Sequence, residues 1–264
     1  MTALRNVAVI SIAAFGTVAG AQSSPVARMA ENERQARIDL KEHFSFLLLE
    51  RSPRTGGHLW MERVVEVDEG KVARLLQVDG VPLSAEAAAA EQRRLTALAN
   101  DPEAFRRLNA SVQSDEKHLI SLLGALPSQF LLTPEGTVNG CLQYSFKPNP
   151  NYQPGSMEEK VLHAMEGTVS IKQPEDRLCE LQSRITSPVS FGFGLLGKVN
   201  QGGTVQLQRR QVSPDTWKSV RMVVHMDGKI LMMKSLTRDQ DAIRSEIKLV
   251  PQHISLQQAV ELTR

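Results

Sequence analysis

Apolar positions recur every three to four residues in three stretches of the chain and every second residue almost everywhere else. Ser24 followed by Pro25 reads as a cap and first turn. They open a helix that runs to about Glu42, with Met29, Ala36 and Leu40 among its apolar positions. The period then drops to two. "FSFLLLE" (Phe44 to Glu50) reads as a strand, and "GHLWMERVVEVDEGKVARLLQVDG" (Gly57 to Gly80) as two strands around Asp68-Glu69-Gly70, with Asp79-Gly80 marking the next turn. Ser84 caps a helical stretch rich in Ala, Arg and Leu through Leu98. Asn100-Asp101-Pro102 breaks it and starts another helix. There Phe105, Leu108, Val112, Leu119, Leu122 and Leu123 carry an apolar stripe toward Leu126.

From Ser128 onward the pattern is mostly strands. Pro134-Glu135-Gly136, Pro174-Glu175-Asp176, Gln201-Gly202-Gly203, Ser213-Pro214-Asp215 and Asp227-Gly228 read as turns. They bound the runs Gln129–Thr133, Thr137–Phe146, Thr168–Lys172, Leu178–Thr186, Thr204–Val212, Trp217–Met226, Lys229–Leu236 and Asp241–Leu249. A proline-rich loop, "KPNPNYQPG", and a short helix opened by Ser156 and Glu159 interrupt them, and Ser255–Leu262 reads as a small terminal helix. Tight turns between successive runs make antiparallel neighbours. The expectation is an α+β fold: about ten strands in one large antiparallel sheet, covered by helices, with a long helical insert at about 84–126.

The first 21 residues have a different character. Arg5 is followed by Val7–Val18, apolar apart from Ser11 and Thr17, and then by Ala19-Gly20-Ala21. That is the form of a secretory signal peptide cut after Ala21, which leaves 22–264 as a single domain. With 31 basic and 29 acidic residues the formal charge is +2, and losing Arg5 leaves +1. No block of either sign stands out, so the charge pattern does not point to nucleic acid, and membrane contact would be peripheral or transient at most.

Candidate chemistry is sparse. "SFGFGLLGKV" (190–199) satisfies G-x-G-x-x-G at Gly192, Gly194 and Gly197, and nearly satisfies a Walker loop at Lys198. A phosphate loop must open a helix, whereas "NQGGTVQLQRRQV" follows with period two. No nucleotide, metal or other cofactor site and no catalytic residue is therefore assigned, and the protein is not expected to be an enzyme. The six histidines are scattered, and Asn109-Ala-Ser111 fits a glycosylation sequon. Alternation sets Cys141 apart from Leu142, Tyr144 and Phe146, on the polar face, and Cys179 with Leu181 and Ile185, on the apolar one. Opposite faces argue against a disulfide. Two apolar groups remain. Phe191, Phe193, Leu195 and Leu196 interleave with the glycines, as a bent strand edge or as a flexible rim for a greasy ligand. Val220, Met222, Val224 and Met226 share a strand face, with Ile230, Met232 and Met233 in the next run, as plain core or as the lining of an acyl cavity.

The string "YSFKPNPNYQPGSMEEKVLHAMEGTVSI", followed by "SFGFGLLGKVNQGGT" and the spaced "W..V..VVHMDGKILMMK", resembles a group of exported bacterial proteins related in fold to the periplasmic lipoprotein-localisation factors. The resemblance implies a half-open β-barrel whose concave apolar face is covered by helices and shelters acyl chains in the periplasm. The partner would be a lipid or an acylated lipoprotein. The insert at 84–126 departs from that family, and Arg51 and Arg63 match no lid motif of it. The alternative is an envelope protein–protein interaction module with a filled core.

Overall fold

The computed structural model describes residues 24–39, 42–191, 197–230 and 238–264, without the side chains of 111–119, 121, 122, 125, 191, 229, 230 and 238. Helix α1 (Pro25–Ile38) starts as read, with the Ser24 side chain accepting from the Ala27 N–H. It stops four residues short of Glu42. Strands β1 (His43–Arg51), β2 (Trp60–Val67), β3 (Gly70–Val78) and the two-residue β4 (Val81–Pro82) form a meander. The insert is two helices, α2 (Ala85–Ala99) and α3 (Pro102–Gln129), capped by Ser84 and Asp101. After β5 (Phe130–Val138) and β6 (Cys141–Pro148) come α4 (Met157–His163), β7 (Met165–Lys172) and β8 (Arg177–Ile185). The short β9 (Val189–Phe191) and β10 (Gly197–Val199) lead into β11 (Thr204–Gln211) and β12 (Trp217–Met226). Then follow β13 (Gly228–Ile230), β14 (Arg238–Val250) and α5 (Leu256–Leu262).

Eleven strands pair in the order β4-β3-β2-β1-β14-β12-β11-β8-β7-β6-β5, antiparallel throughout, while β13, β10 and β9 form a small separate sheet. The fold is therefore α+β around a large antiparallel sheet. The sheet is open, with β4 and β5 at its edges. The last long strand, β14, lies between β1 and β12 and joins the two meanders, a placement no local turn encodes.

Two strand readings change. Pro134-Glu135-Gly136 is a bulge inside β5, and the hairpin turns instead at Asn139-Gly140, both at positive φ (50° and 74°). Asn-Gly is the dipeptide that a two-residue hairpin turn favours. The second change concerns the cysteines, which form a disulfide between β6 and β8 with Cα atoms 6.8 Å apart. Ser170 pairs with Glu180 and Ile171 with Leu178, so Cys179 is the extra residue of a bulge. A bulge interrupts the alternation of faces, so strict alternation placed Cys179 wrongly.

Two apolar clusters hold the helices to the sheet, and a third lies among the strands. On one half, Val26 and Met29 of α1 pack with Phe130, Phe146, Val169, Ile171, Leu178 and Ile185. On the other half, Val65, Val67 and Val72 meet Leu95, Ala99, Phe105 and, from α5, Ala259 and Val260. Phe44, Phe46 and Val64 form a third cluster beside Ile247. Helix α3 contributes Phe105 to the second cluster and Leu126 to the first, spanning ~42 Å. Its expected stripe holds at Phe105 and Leu123 but fails at Leu108, which is 60% exposed.

Candidate functional site: a charged cavity

Beta strands that alternate faces should bury apolar residues toward the covering helices. Part of this sheet does not. Between α1, the turns at 68–71 and 214–217, and the strands β1, β2, β11, β12 and β14 lies a cavity of about 1210 Å³. Phe46, Met222 and Ile247 give it apolar wall, but its lining also holds Glu33, Glu66, Arg177, Arg209, Lys218 and Arg244.

Glu33 projects from α1 and is 1% exposed. Arg177 Nε donates to its Oε1 at 2.9 Å, Arg209 Nη1 donates to Oε2, and the Leu178 N–H reaches Oε1 at 3.2 Å. Burial opposes ionisation of this carboxyl, but Arg209, Arg177 and the Leu178 N–H outweigh it and hold the group below the usual carboxylate range. Burial brings the Arg209 guanidinium down to about 10 against the pull of Glu33, so both remain charged at neutral pH. The Arg209 Nη2 donates to the Trp217 carbonyl at 2.5 Å, and its Nε is buried with no acceptor.

Glu66, on β2, accepts from Lys218 Nζ at 2.7 Å and from the Phe44 N–H at 3.2 Å, with Lys71 Nζ at 3.9 Å. Lys218 also lies over the Phe44 ring, 4.8 Å from its centroid. Glu42 accepts hydroxyl hydrogen bonds from Ser213 and Thr216, both at 2.5 Å, which tie the β11–β12 turn down at the cavity edge. At the mouth, Asp68 accepts from His43 at 2.7 Å and His253 at 2.8 Å.

Arg244 differs from Arg177, Arg209 and Lys218. Its Nη1 donates to the Ser219 carbonyl at 2.8 Å and its guanidinium stacks 5.4 Å above the Phe46 ring. Its Nε is buried without an acceptor, and no carboxylate among the described residues pairs with it. Burial lowers its affinity for the proton, offset in part by the more distant Glu66 and Glu50.

The residues singled out in the sequence fall unevenly around this site. Val220, Met222, Val224 and Met226 all lie on β12, where Met222 pairs with Leu207 and Val224 with Val205. Met222 lines the cavity, Met226 packs on the α1-side cluster and Val224 is buried. Phe191 and Ile230 are placed only by backbone, both paired with Gly197 in the small sheet. Phe193, Leu195, Leu196, Met232 and Met233 lie outside the described residues. Lys198 is followed by a turn and β11 rather than a helix. The Asn109 of the sequon is 5% exposed; its side chain accepts from the Lys71 N–H and donates to Phe105 O, so it is a structural amide rather than a surface acceptor.

The sequence reading missed Glu33, Glu66, Arg209, Lys218 and Arg244. A signal existed for one of them: Lys218 shares the alternation of Val220, Met222 and Val224, a charge written into an inward-facing set. Among the described residues no cluster of three or more His, Cys, Asp or Glu could hold a metal ion, and no helix is long and apolar enough to cross a membrane. Comparison with protein families, with curated proteins and with solved structures finds no match.

Proposed function

We propose that the protein is a soluble, exported binding protein that carries a lipid or a lipoprotein acyl chain through the periplasm without catalysis. The observation that carries this reading is the cavity of about 1210 Å³ on a sheet face otherwise packed by helices. Small-molecule sites occupy ~300–1,000 Å³, and the alternative of an interaction module with a filled core would leave no such space. The lining is mixed: Phe46, Met222 and Ile247 offer an apolar surface beside buried charges. That combination suits an amphiphile better than a bare hydrocarbon. The resemblance to lipoprotein-localisation factors, which would place acyl chains under helices on such a sheet, points the same way. Native mass spectrometry of the protein purified from its own cell envelope should show a bound lipid, and a fluorescent fatty acid should titrate into the delipidated protein. Failure of both would reject the carrier reading.

A further inference from the structure

Besides Arg37 on α1 and Lys71 on β3, the cavity lining carries a row of cations on four adjacent strands: Arg177 on β8, Arg209 on β11, Lys218 on β12 and Arg244 on β14. Two carboxylates neutralise part of this row. Glu33 takes Arg177 and Arg209, and Glu66 takes Lys218. Of the other acids of the lining, Asp39, Asp68, Glu69, Glu175 and Asp215 are exposed, and the half-buried Glu42 is held by Ser213 and Thr216. A cation drawn out of water without an ion pair is costly; Arg244 is half-buried with its Nε shielded from solvent, and Glu66 and Glu50 act on it only from beyond ion-pair distance. A purely structural arginine at this position would be expected to have a carboxylate, as its neighbours do.

The two guanidiniums are held on the same strand from opposite sides. Arg209 donates to the Trp217 carbonyl and Arg244 to the Ser219 carbonyl, two residues along β12. Carbonyls two residues apart in a strand are ~6.8 Å apart. β12 shifts register against β11 here, with Arg209 facing Ser219 and Gln208 facing Arg221. Each guanidinium therefore has a fixed orientation, and each keeps a buried Nε–H with no acceptor. Oriented N–H donors in a partly desolvated wall are what binds a carboxylate or phosphate group.

We infer that Arg244, supported by Arg209 and Lys218, is the receptor for the anionic group of the ligand, so that the protein takes an anionic amphiphile with its head on β12 and its apolar part along Phe46, Met222 and Ile247. The inference rests on the carrier reading above.

The test uses the mature full-length protein and three probes: a fluorescent long-chain fatty acid, its methyl ester and inorganic phosphate. The acid should bind at least tenfold more tightly than the ester. Arg244→Gln should bring the acid to the affinity of the ester, and a loss of a few degrees in melting temperature from the Ser219 hydrogen bond and the Phe46 stack leaves that comparison intact. Arg63→Gln, which breaks the exposed pair with Glu246, should leave the acid-to-ester ratio unchanged. Should the Gln variant not fold, Arg244→Lys keeps the charge and should keep part of the preference for the acid. Equal binding of acid and ester to the unaltered protein overturns the receptor but leaves the carrier reading standing. Phosphate binding with neither amphiphile taken up supports the receptor, makes the ligand a free oxyanion and removes the carrier reading. Binding of none of the three overturns both.

Discussion

Glu33 stabilises the fold only while it is ionised between Arg177 and Arg209. Its carboxyl is held below the ordinary carboxylate range, despite burial, by those arginines and the Leu178 N–H. Its contribution is therefore complete above the unfolded value of ~4.3 and is lost as pH falls through the lower folded value. Thermal melts should show a decline that begins near pH 5 and steepens on further acidification, and Glu33→Gln should flatten it. Glu33→Ala at neutral pH leaves two guanidiniums facing each other across a gap and should cost ~3–5 kcal/mol, measurable by urea unfolding; a cost under 1 kcal/mol would mean that water reaches the arginines freely. None of this could be read in "AENERQARI", where Glu33 is one more polar residue on a helix. Its partners lie 144 and 176 positions away.

Strand β8 shows how one residue alters an element. The alternation read from Leu178 to Ile185 is sound from Glu180 onward, and Leu181 pairs with Val169 and Leu207 as expected. A single inserted residue at Cys179 changes the face and brings the thiol to Cys141 across β7. The closed loop spans 38 residues, so removing the bond should cost ~3–4 kcal/mol. Cys179→Ser, or reduction of the unaltered protein, should lower the melting temperature by roughly 2–4 °C per kcal/mol. An unchanged melt after reduction would show that the bond does not constrain the unfolded chain. The β5–β6 hairpin is the converse case. Its signal, Asn139-Gly140, is plainly written, but Pro134-Glu135-Gly136 competes with it. What separates them is pairing: Val138 opposite Cys141 continues the ladder, while the Pro134 turn would leave it unmade.

At the scale of the molecule, α1 forms one wall of the cavity and the charged floor of the sheet the other. Ala36 lies on the α1 wall and is exposed, so a larger side chain there meets empty space rather than core. Ala36→Trp should leave stability within ~0.5 kcal/mol and cut uptake of the fluorescent fatty acid severalfold; full uptake would place the ligand elsewhere. The sequence alone determined the class of fold, because period two, period 3.6 and their capping residues are local properties of the chain. Ser24, Ser84, Asp101 and Ser156 cap helices where the pattern put them, and β1, β8, β11 and β12 fall within a residue of their runs. The insertion of β14 between β1 and β12, the disulfide and the cavity were decided only by tertiary structure. Each depends on which distant strands become neighbours. A charge such as Arg244 in "DAIRSEIKLV" has no visible purpose until β12 lies beside it to receive its hydrogen bond and β2 and α1 bring carboxylates into ion pairs with Lys218, Arg177 and Arg209 but only to a greater distance from it.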